Sequence, residues 1–106
     1  MRTVINIAGY PLEAADIWRL EELLESEVIV INNPTRYVRS QNLWEQLTTA
    51  ITTARPTVLH DDVIVAPSIH PAADCVRSLF PYATVYSINE IHGKAAQRSN
   101  VLQRSR

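Results

Sequence analysis

Glycine is scarce in this sequence, with only Gly9 and Gly93 among 106 residues. The scarcity excludes flexible glycine-rich linkers. A dinucleotide-binding fingerprint needs three glycines in the pattern G-x-G-x-x-G, whereas Gly9-Tyr10-Pro11 supplies one. The P-loop pattern G-x-x-x-x-G-K-[ST] is missing as well. We therefore expect neither NAD binding nor P-loop nucleotide hydrolysis.

Cysteine occurs once, at Cys75, so the chain cannot form an internal disulfide. This fits a reducing cytoplasm, and we interpret Cys75 as a small buried residue of a helix. No apolar run approaches the roughly 20 residues that cross a bilayer, so we expect no membrane partner. The histidines form no H-x-x-x-H pair and no second cysteine is present. We expect no metal site and no cofactor.

Charge is moderate, with 20% charged residues and a net charge of −1. This balance predicts no general attraction to long nucleic acid. The charges are nevertheless unevenly distributed. Residues 1–30 hold six acids against two arginines, whereas residues 91–106 hold four basic residues and no acid. We interpret the former as a solvated helix face, and the latter as a loose tail or a surface for an anionic partner.

Four short runs rich in β-branched residues predict strands, at Thr3–Ala8, Glu27–Ile31, Asp62–Ala66 and Thr84–Ile88. Three helical patterns lie between them, at Glu13–Glu25, Gln41–Arg55 and Pro71–Phe80. This alternation predicts an α/β fold, a minimal Rossmann-like domain over residues 1–90. Its four-stranded parallel sheet should have the order 2-1-3-4, with helices on both faces. Residues 91–106 are interpreted as a basic C-terminal segment, a short helix or a tail.

Ligands of an open parallel sheet bind beyond the carboxyl ends of the strands, where helix N-termini offer N–H groups to anions. The residues that follow the predicted strands are therefore the candidate ligand-binding set: Gly9, Tyr10, Asn32, Asn33, Arg36, Arg39, Ser68, His70 and Asn89. Amide, hydroxyl and guanidinium groups suit a phosphate-bearing, nucleotide-like ligand. Tyr10 and Tyr37 are candidates for stacking on a base.

Several of these residues have structural alternatives. Ser40 is the predicted N-cap of the second helix, and Ser68 is either the N-cap of the third or part of a phosphate cradle. His70 is either an exposed residue near that cap or a general acid or base. Glu90 and His92 follow the fourth strand as further acid–base candidates. The pair Asp61–Asp62 precedes the third strand, at the opposite edge, and is interpreted as solvating turn residues.

Four segments together resemble a known family: Gly9-Tyr10-Pro11-Leu12, Leu43-Trp44-Glu45-Gln46-Leu47, Val63–Ser68 and Ile91-His92-Gly93-Lys94. The chain resembles the small ancillary proteins of type III CRISPR systems, which are compact, CARF-like relatives of the CRISPR-associated Rossmann-fold domains. The segments are spread over most of the chain.

The resemblance implies a protein that binds a cyclic oligoadenylate, above all cyclic tetra-adenylate, and senses or sequesters this antiviral second messenger. It also implies a homodimer or higher homo-oligomer whose strand ends form one symmetric pocket. Two alternatives stay open. One is a metal-independent ring nuclease, in which a ribose 2′-hydroxyl attacks its own phosphate and His70 is the candidate catalytic residue. The other is a non-catalytic protein-interaction subunit, so the sequence leaves open whether the chain is an enzyme.

Overall fold

The structure, a computed structural model, describes residues 1–92. Its strands are β1 (Arg2–Asn6), β2 (Val28–Asn32), β3 (Val63–Ala66) and β4 (Thr84–Ser87). Its helices are α1 (Ala14–Leu24), α2 (Leu43–Ala54) and α3 (Ala72–Leu79). Residues 88–92, directly after β4, are also helical. Most of the predicted C-terminal segment, residues 91–106, lies outside the described residues.

The four strands form one parallel sheet in the order β2-β1-β3-β4, which confirms the predicted fold. In the centre, β1 pairs with β2 from Arg2↔Val28 to Asn6↔Asn32, and with β3 on its other side. Parallel neighbours need crossover connections, which here are helices. Because the chain winds first toward β2 and then back toward β3 and β4, α1 covers one face and α2 and α3 cover the other.

The sheet separates two apolar layers, because successive strand side chains point to opposite faces. The layer beneath α1 includes Val4, Leu20, Val63, Val65, Ile88 and Ile91. The layer beneath α2 and α3 includes Ile5, Leu47, Ile51, Ile64 and Val76. Each fully buried aliphatic side chain contributes about 1.5–3 kcal/mol, so these layers hold the sheet and helices together. No helix within residues 1–92 has the length and apolar character needed to cross a membrane.

Two helix starts differ from the sequence predictions. The N-cap of α2 is Asn42 rather than Ser40, and its side chain accepts hydrogen bonds of 2.9 and 3.3 Å from backbone N–H groups of the first turn. The N-cap of α3 is Pro71, so the interpretation of Ser68 as the cap of this helix is wrong. Ser68 is instead exposed in the loop before α3.

The interpretation of Asp62 as a solvating turn residue is wrong, because its side chain is buried. The neighbouring Asp61 is exposed, as predicted. The Asp62 carboxylate accepts hydrogen bonds from Arg55 Nε at 3.0 Å and Nη2 at 3.2 Å, and from the Leu59 N–H at 2.8 Å. This bidentate pair ties the end of α2 to the start of β3.

We expect Asp62→Ala to lower the free energy of unfolding by about 2–3 kcal/mol, because it leaves the Arg55 guanidinium and the Leu59 N–H without their acceptor. Urea denaturation followed by circular dichroism measures this change. Asp61→Ala is the matched control, since it removes an exposed carboxylate one residue earlier and should shift stability by no more than about 0.5 kcal/mol. Equal losses in the two variants would contradict the role assigned to Asp62.

Candidate functional site

The carboxyl ends of the four parallel strands lie at one edge of the sheet, here called the rim. It consists of residues 7–13, 33–42, 67–71 and 88–92 together with the last residues of the strands. All the predicted ligand-binding residues lie there, because each ends or follows a strand. The structure divides them into residues that fix the loops and residues that line open clefts.

Asn32 belongs to a hydrogen-bond network that fixes the loop after β1. Its side-chain oxygen accepts from Asn6 Nδ2 at 2.8 Å and from the Leu12 N–H at 3.3 Å. The buried Asn6 also donates to the Tyr10 carbonyl at 2.8 Å and accepts from the Ala8 N–H at 3.0 Å. The Asn32 oxygen is therefore engaged by the protein itself. Sequence reasoning missed Asn6, whose one signal is an amide within an apolar strand.

Gly9 and Asn33 also shape the rim. Gly9 has φ of 105°, which glycine adopts without strain, and a Cβ there would lie 3.4 Å from the Thr35 carbonyl oxygen. Asn33 Nδ2 donates to the Ala50 carbonyl at 2.7 Å, which fastens the loop after β2 to α2. Both residues bring the loop after β2 close to its neighbours.

A cleft of about 610 Å³, here called the central cleft, opens between the loop after β2, the start of α2 and the loop after β3. Arg39 and His70 line it from the two loops. Leu43 and Ile69 give it apolar walls, and Tyr37 contributes an aromatic ring. Its volume lies within the roughly 300–1,000 Å³ of small-molecule sites.

Two further clefts adjoin the central one. The α2 cleft, of about 420 Å³, places Arg36 and Asn33 against the polar face of α2 and shares Val38 with the central cleft. The α3 cleft, of about 350 Å³, is lined by Ser68, His70 and Asn89, among others. The structure thus brings Ser68, His70 and Asn89 together and places Arg36 and Arg39 in neighbouring clefts. Gly9, Tyr10 and Asn32 line none of these three clefts.

Arg36 and Arg39 are exposed, and within residues 1–92 neither makes an ion pair or a side-chain hydrogen bond. The other four arginines of residues 1–92 each have a hydrogen-bond or ion-pair partner; they are Arg2, Arg19, Arg55 and Arg77. The described part of the chain contains no lysine. The two side-chain cations without a partner in residues 1–92 therefore both lie in one loop of the rim.

Gln46 braces this loop. Its Oε1 accepts from the Val38 N–H at 2.7 Å, and its Nε2 donates to the Val38 carbonyl at 2.9 Å. The Tyr37 hydroxyl donates to the Ile7 carbonyl at 2.6 Å, and burial raises the pKa of this hydroxyl. The two residues between Arg36 and Arg39, which are Tyr37 and Val38, are thus both fixed by hydrogen bonds. Sequence reasoning missed Gln46, because one glutamine on a helix carries no distinctive signal.

On the α1 side of the rim, His92 Nε2 lies 3.1 Å from Oδ1 of the buried Asp16. The other Asp16 oxygen accepts from the Glu13 N–H at 3.1 Å. The Tyr10 ring stacks on His92, with 6.5 Å between ring centroids. Burial, and secondarily the charges of Asp16 and Glu13, raises the pKa of the Tyr10 hydroxyl. An imidazole oriented by a carboxylate is typical of general acids and bases.

Glu90 lies in the helical segment after β4, not in a loop, and pairs with Arg77 Nη2 at 3.0 Å. Residues 1–92 contain no group of three or more His, Cys, Asp or Glu side chains that could hold a metal ion. Cys75 is buried in α3, and burial, with a smaller contribution from Asp74, raises the pKa of its thiol. A raised pKa leaves less of the reactive thiolate, which fits a packing role.

The fold and the rim together define an all-parallel, Rossmann-like α/β domain, with two guanidinium groups at its strand ends that have no partner within residues 1–92. No protein-family model, curated protein or solved structure matches this chain. The geometry of the rim and the family resemblance of four segments are therefore the grounds for proposing a ligand.

We expect Gln46→Ala to release the Val38 backbone, so that amide hydrogen exchange in the loop of residues 35–41 becomes about fivefold faster, equivalent to about 1 kcal/mol. Hydrogen–deuterium exchange with mass spectrometry measures this rate. Gln41→Ala serves as the control, because within residues 1–92 its exposed side chain makes no hydrogen bond. Unchanged loop exchange in Gln46→Ala would show that the two hydrogen bonds do not brace the loop.

Proposed function

We propose that this protein binds a phosphate-bearing, nucleotide-like ligand at the rim. We propose further that the ligand is a cyclic oligoadenylate, above all cyclic tetra-adenylate, which the protein senses or sequesters in type III CRISPR antiviral signalling. The observation that carries the proposal is the pair Arg36 and Arg39, the side-chain cations of residues 1–92 that have no partner. A free guanidinium offers forked N–H donors that match the oxygens of a phosphate.

The arrangement of the clefts supports a ligand with more than one phosphate. Arg36 and Arg39 line adjoining clefts that both contain Val38, so each can hold a separate phosphate. The apolar walls of Leu43 and Ile69 suit the flat face of an adenine. The identity of the ligand is supported by the family resemblance, as are its antiviral role and the homo-oligomer. The single cysteine supports a cytoplasmic location.

We expect Arg36→Ala and Arg39→Ala each to weaken binding of cyclic tetra-adenylate about tenfold, because each removes one charged hydrogen-bonding partner of a phosphate. Isothermal titration calorimetry at two salt concentrations measures the loss, and added salt should weaken the wild-type complex more than either variant's.

Arg2→Ala is the matched control for these variants. It removes the same charge from the opposite edge of the sheet, where Arg2 Nε donates to the Asp61 carbonyl, and it should leave affinity unchanged. If Arg36→Ala and Arg39→Ala both keep the wild-type affinity, the loop that contains these arginines is not part of the binding site. If the wild-type protein binds no cyclic oligoadenylate, the proposed ligand is wrong, and the protein-interaction subunit becomes the favoured alternative.

A metal-independent ring nuclease is the second candidate, and the contact between His92 and Asp16 favours it. In this reaction the ribose 2′-oxygen bonds to the adjacent phosphorus as the bond from phosphorus to the 5′-oxygen breaks. The 2′-hydroxyl loses a proton and the 5′-oxygen gains one, so a histidine can assist either transfer. His92 is 45% exposed while Asp16 holds its Nε2 side. His70 is the other candidate, since it lines both the central and the α3 clefts.

Incubation with labelled cyclic tetra-adenylate separates these two activities, because intact bound ligand indicates the binder and linear products indicate the nuclease. If linear products form, we expect loss of the assisting histidine, by His92→Ala or His70→Ala, to slow cleavage about 100-fold. His60→Ala is the control, since His60 is exposed at the opposite edge of the sheet. Full cleavage activity in both His92→Ala and His70→Ala would exclude assistance by either histidine.

A further inference from the structure

We propose that two copies of this chain associate by antiparallel pairing of β2 with β2 of the second copy about a two-fold axis. The proposal does not depend on the ligand. Within residues 1–92, β2 pairs with β1 alone and so forms one edge of the sheet. Edge strands present backbone N–H and C=O groups to other chains, and soluble proteins usually protect them.

The opposite edge, β4, is protected by charged side chains. The Thr84 N–H bonds inward, toward β3, so Val85 and Ser87 direct their backbone groups outward. The Val85 carbonyl accepts from Arg77 Nη2 at 3.2 Å, and the Ser87 N–H donates to Glu90 Oε1 at 3.4 Å. Arg77 and Glu90 are also paired with each other at 3.0 Å. A further strand can join β4 only by breaking these contacts.

Among residues 1–92, nothing protects the centre of the β2 edge in this way. Backbone hydrogen bonds to β1 directly before and directly after β2 show that the odd-numbered residues of β2 direct their N–H and C=O groups toward β1. The backbone groups of Val28, Val30 and Asn32 therefore point outward, away from β1. Among the outward backbone groups, only the Val28 N–H has a partner within residues 1–92, Glu21 Oε2 at 3.2 Å. The strand reads Val-Ile-Val-Ile-Asn and contains neither charge nor proline.

The side chains of β2 add an apolar surface to these free backbone groups. Val28 and Val30 pack in the layer beneath α1, so alternation places Ile29 and Ile31 on the opposite face. The core layer beneath α2 and α3 does not include these two isoleucines, and Ile29 is 55% exposed. Pairing with another strand would cover them.

The occupant we infer is a second copy, because β2 is its own complement about Val30. With the two-fold axis perpendicular to the sheet, Val30 lies opposite Val30, and Val28 opposite Asn32, of the second copy. These outward-facing residues then take the hydrogen-bonded positions of an antiparallel pair. Ile29 lies opposite Ile31 of the second copy, which covers the exposed Ile29 and the half-buried Ile31. An isologous interface requires self-complementarity of this kind.

This association keeps the rims of the two copies apart. Antiparallel pairing of the two β2 strands points their carboxyl ends in opposite directions, so the two rims lie at opposite edges of one continuous eight-stranded sheet. The single symmetric pocket implied by the family resemblance would not form at this interface. Each chain would instead hold its ligand independently.

Disulfide cross-linking tests the register. In Val30→Cys the two Cα atoms would lie about 5.5 Å apart, within the roughly 4.4–6.8 Å that disulfides span, so mild oxidation should give a covalent dimer. Ile29→Cys alone should not cross-link, because its two copies are diagonal neighbours at about 7–8 Å. A mixture of Ile29→Cys with Ile31→Cys should cross-link. The wild-type protein is the control, since its Cys75 is buried.

Analytical ultracentrifugation measures the association without added cysteines. We expect twice the 12.0 kDa chain mass for the wild type, and the single-chain mass for Ile29→Lys, because a charge beside Ile31 of the second copy opposes pairing. Leu59→Lys places the same charge on a leucine that is 46% exposed outside β2, and should stay dimeric. A monomeric wild type, a dimeric Ile29→Lys, or Val30→Cys that fails to cross-link would overturn the proposal.

Discussion

The rest of the molecule depends on the parallel pairing of β1 with both β2 and β3. Because β1 lies in the centre, the chain must reverse its winding there, and this reversal places α1 on one face and α2 and α3 on the other. The same pairing brings every strand's carboxyl end to one rim. It also leaves β2 and β4 as the two edge strands among residues 1–92, so the proposed ligand site and the proposed association surface both follow from one arrangement of hydrogen bonds.

At the rim, neutral amides and cations have different tasks. Asn32 and Gln46 use their side chains to hydrogen-bond backbone groups of the loops, and Asn33 bonds the Ala50 carbonyl of α2. Each such hydrogen bond stabilises the folded loop by roughly 0.5–1.5 kcal/mol, so these amides act first in the fold. The guanidinium groups of Arg36 and Arg39 have no such task within residues 1–92. The amides thus hold the loop in a shape that keeps its cations available.

The strand order could be predicted because alternating apolar runs and right-handed crossovers leave few topologies. The roles of individual side chains could not be predicted, because they depend on how distant segments of the chain are aligned with each other. Nothing local distinguishes Asp62 from Asp61, yet only Asp62 lies where the Arg55 fork reaches it. The side-chain oxygen of Asn32 is engaged within the fold only because strand pairing places Asn6 opposite to it. Likewise, Asp16 and His92 meet only because residues 88–92 pack on the α1 side of the sheet.

The charge distribution determines how an anion would reach the rim. All eleven acids of the chain but only six of its ten basic residues lie within residues 1–92, so this part carries an excess of negative charge. Its long-range field therefore does not attract an anion. Between Asn33 and Asn42, however, the loop holds two arginines and no acid. Screening confines such a local charge to about 8 Å at physiological salt. The anion recognition that we propose therefore depends on direct contact, which requires a loop held rigidly in place.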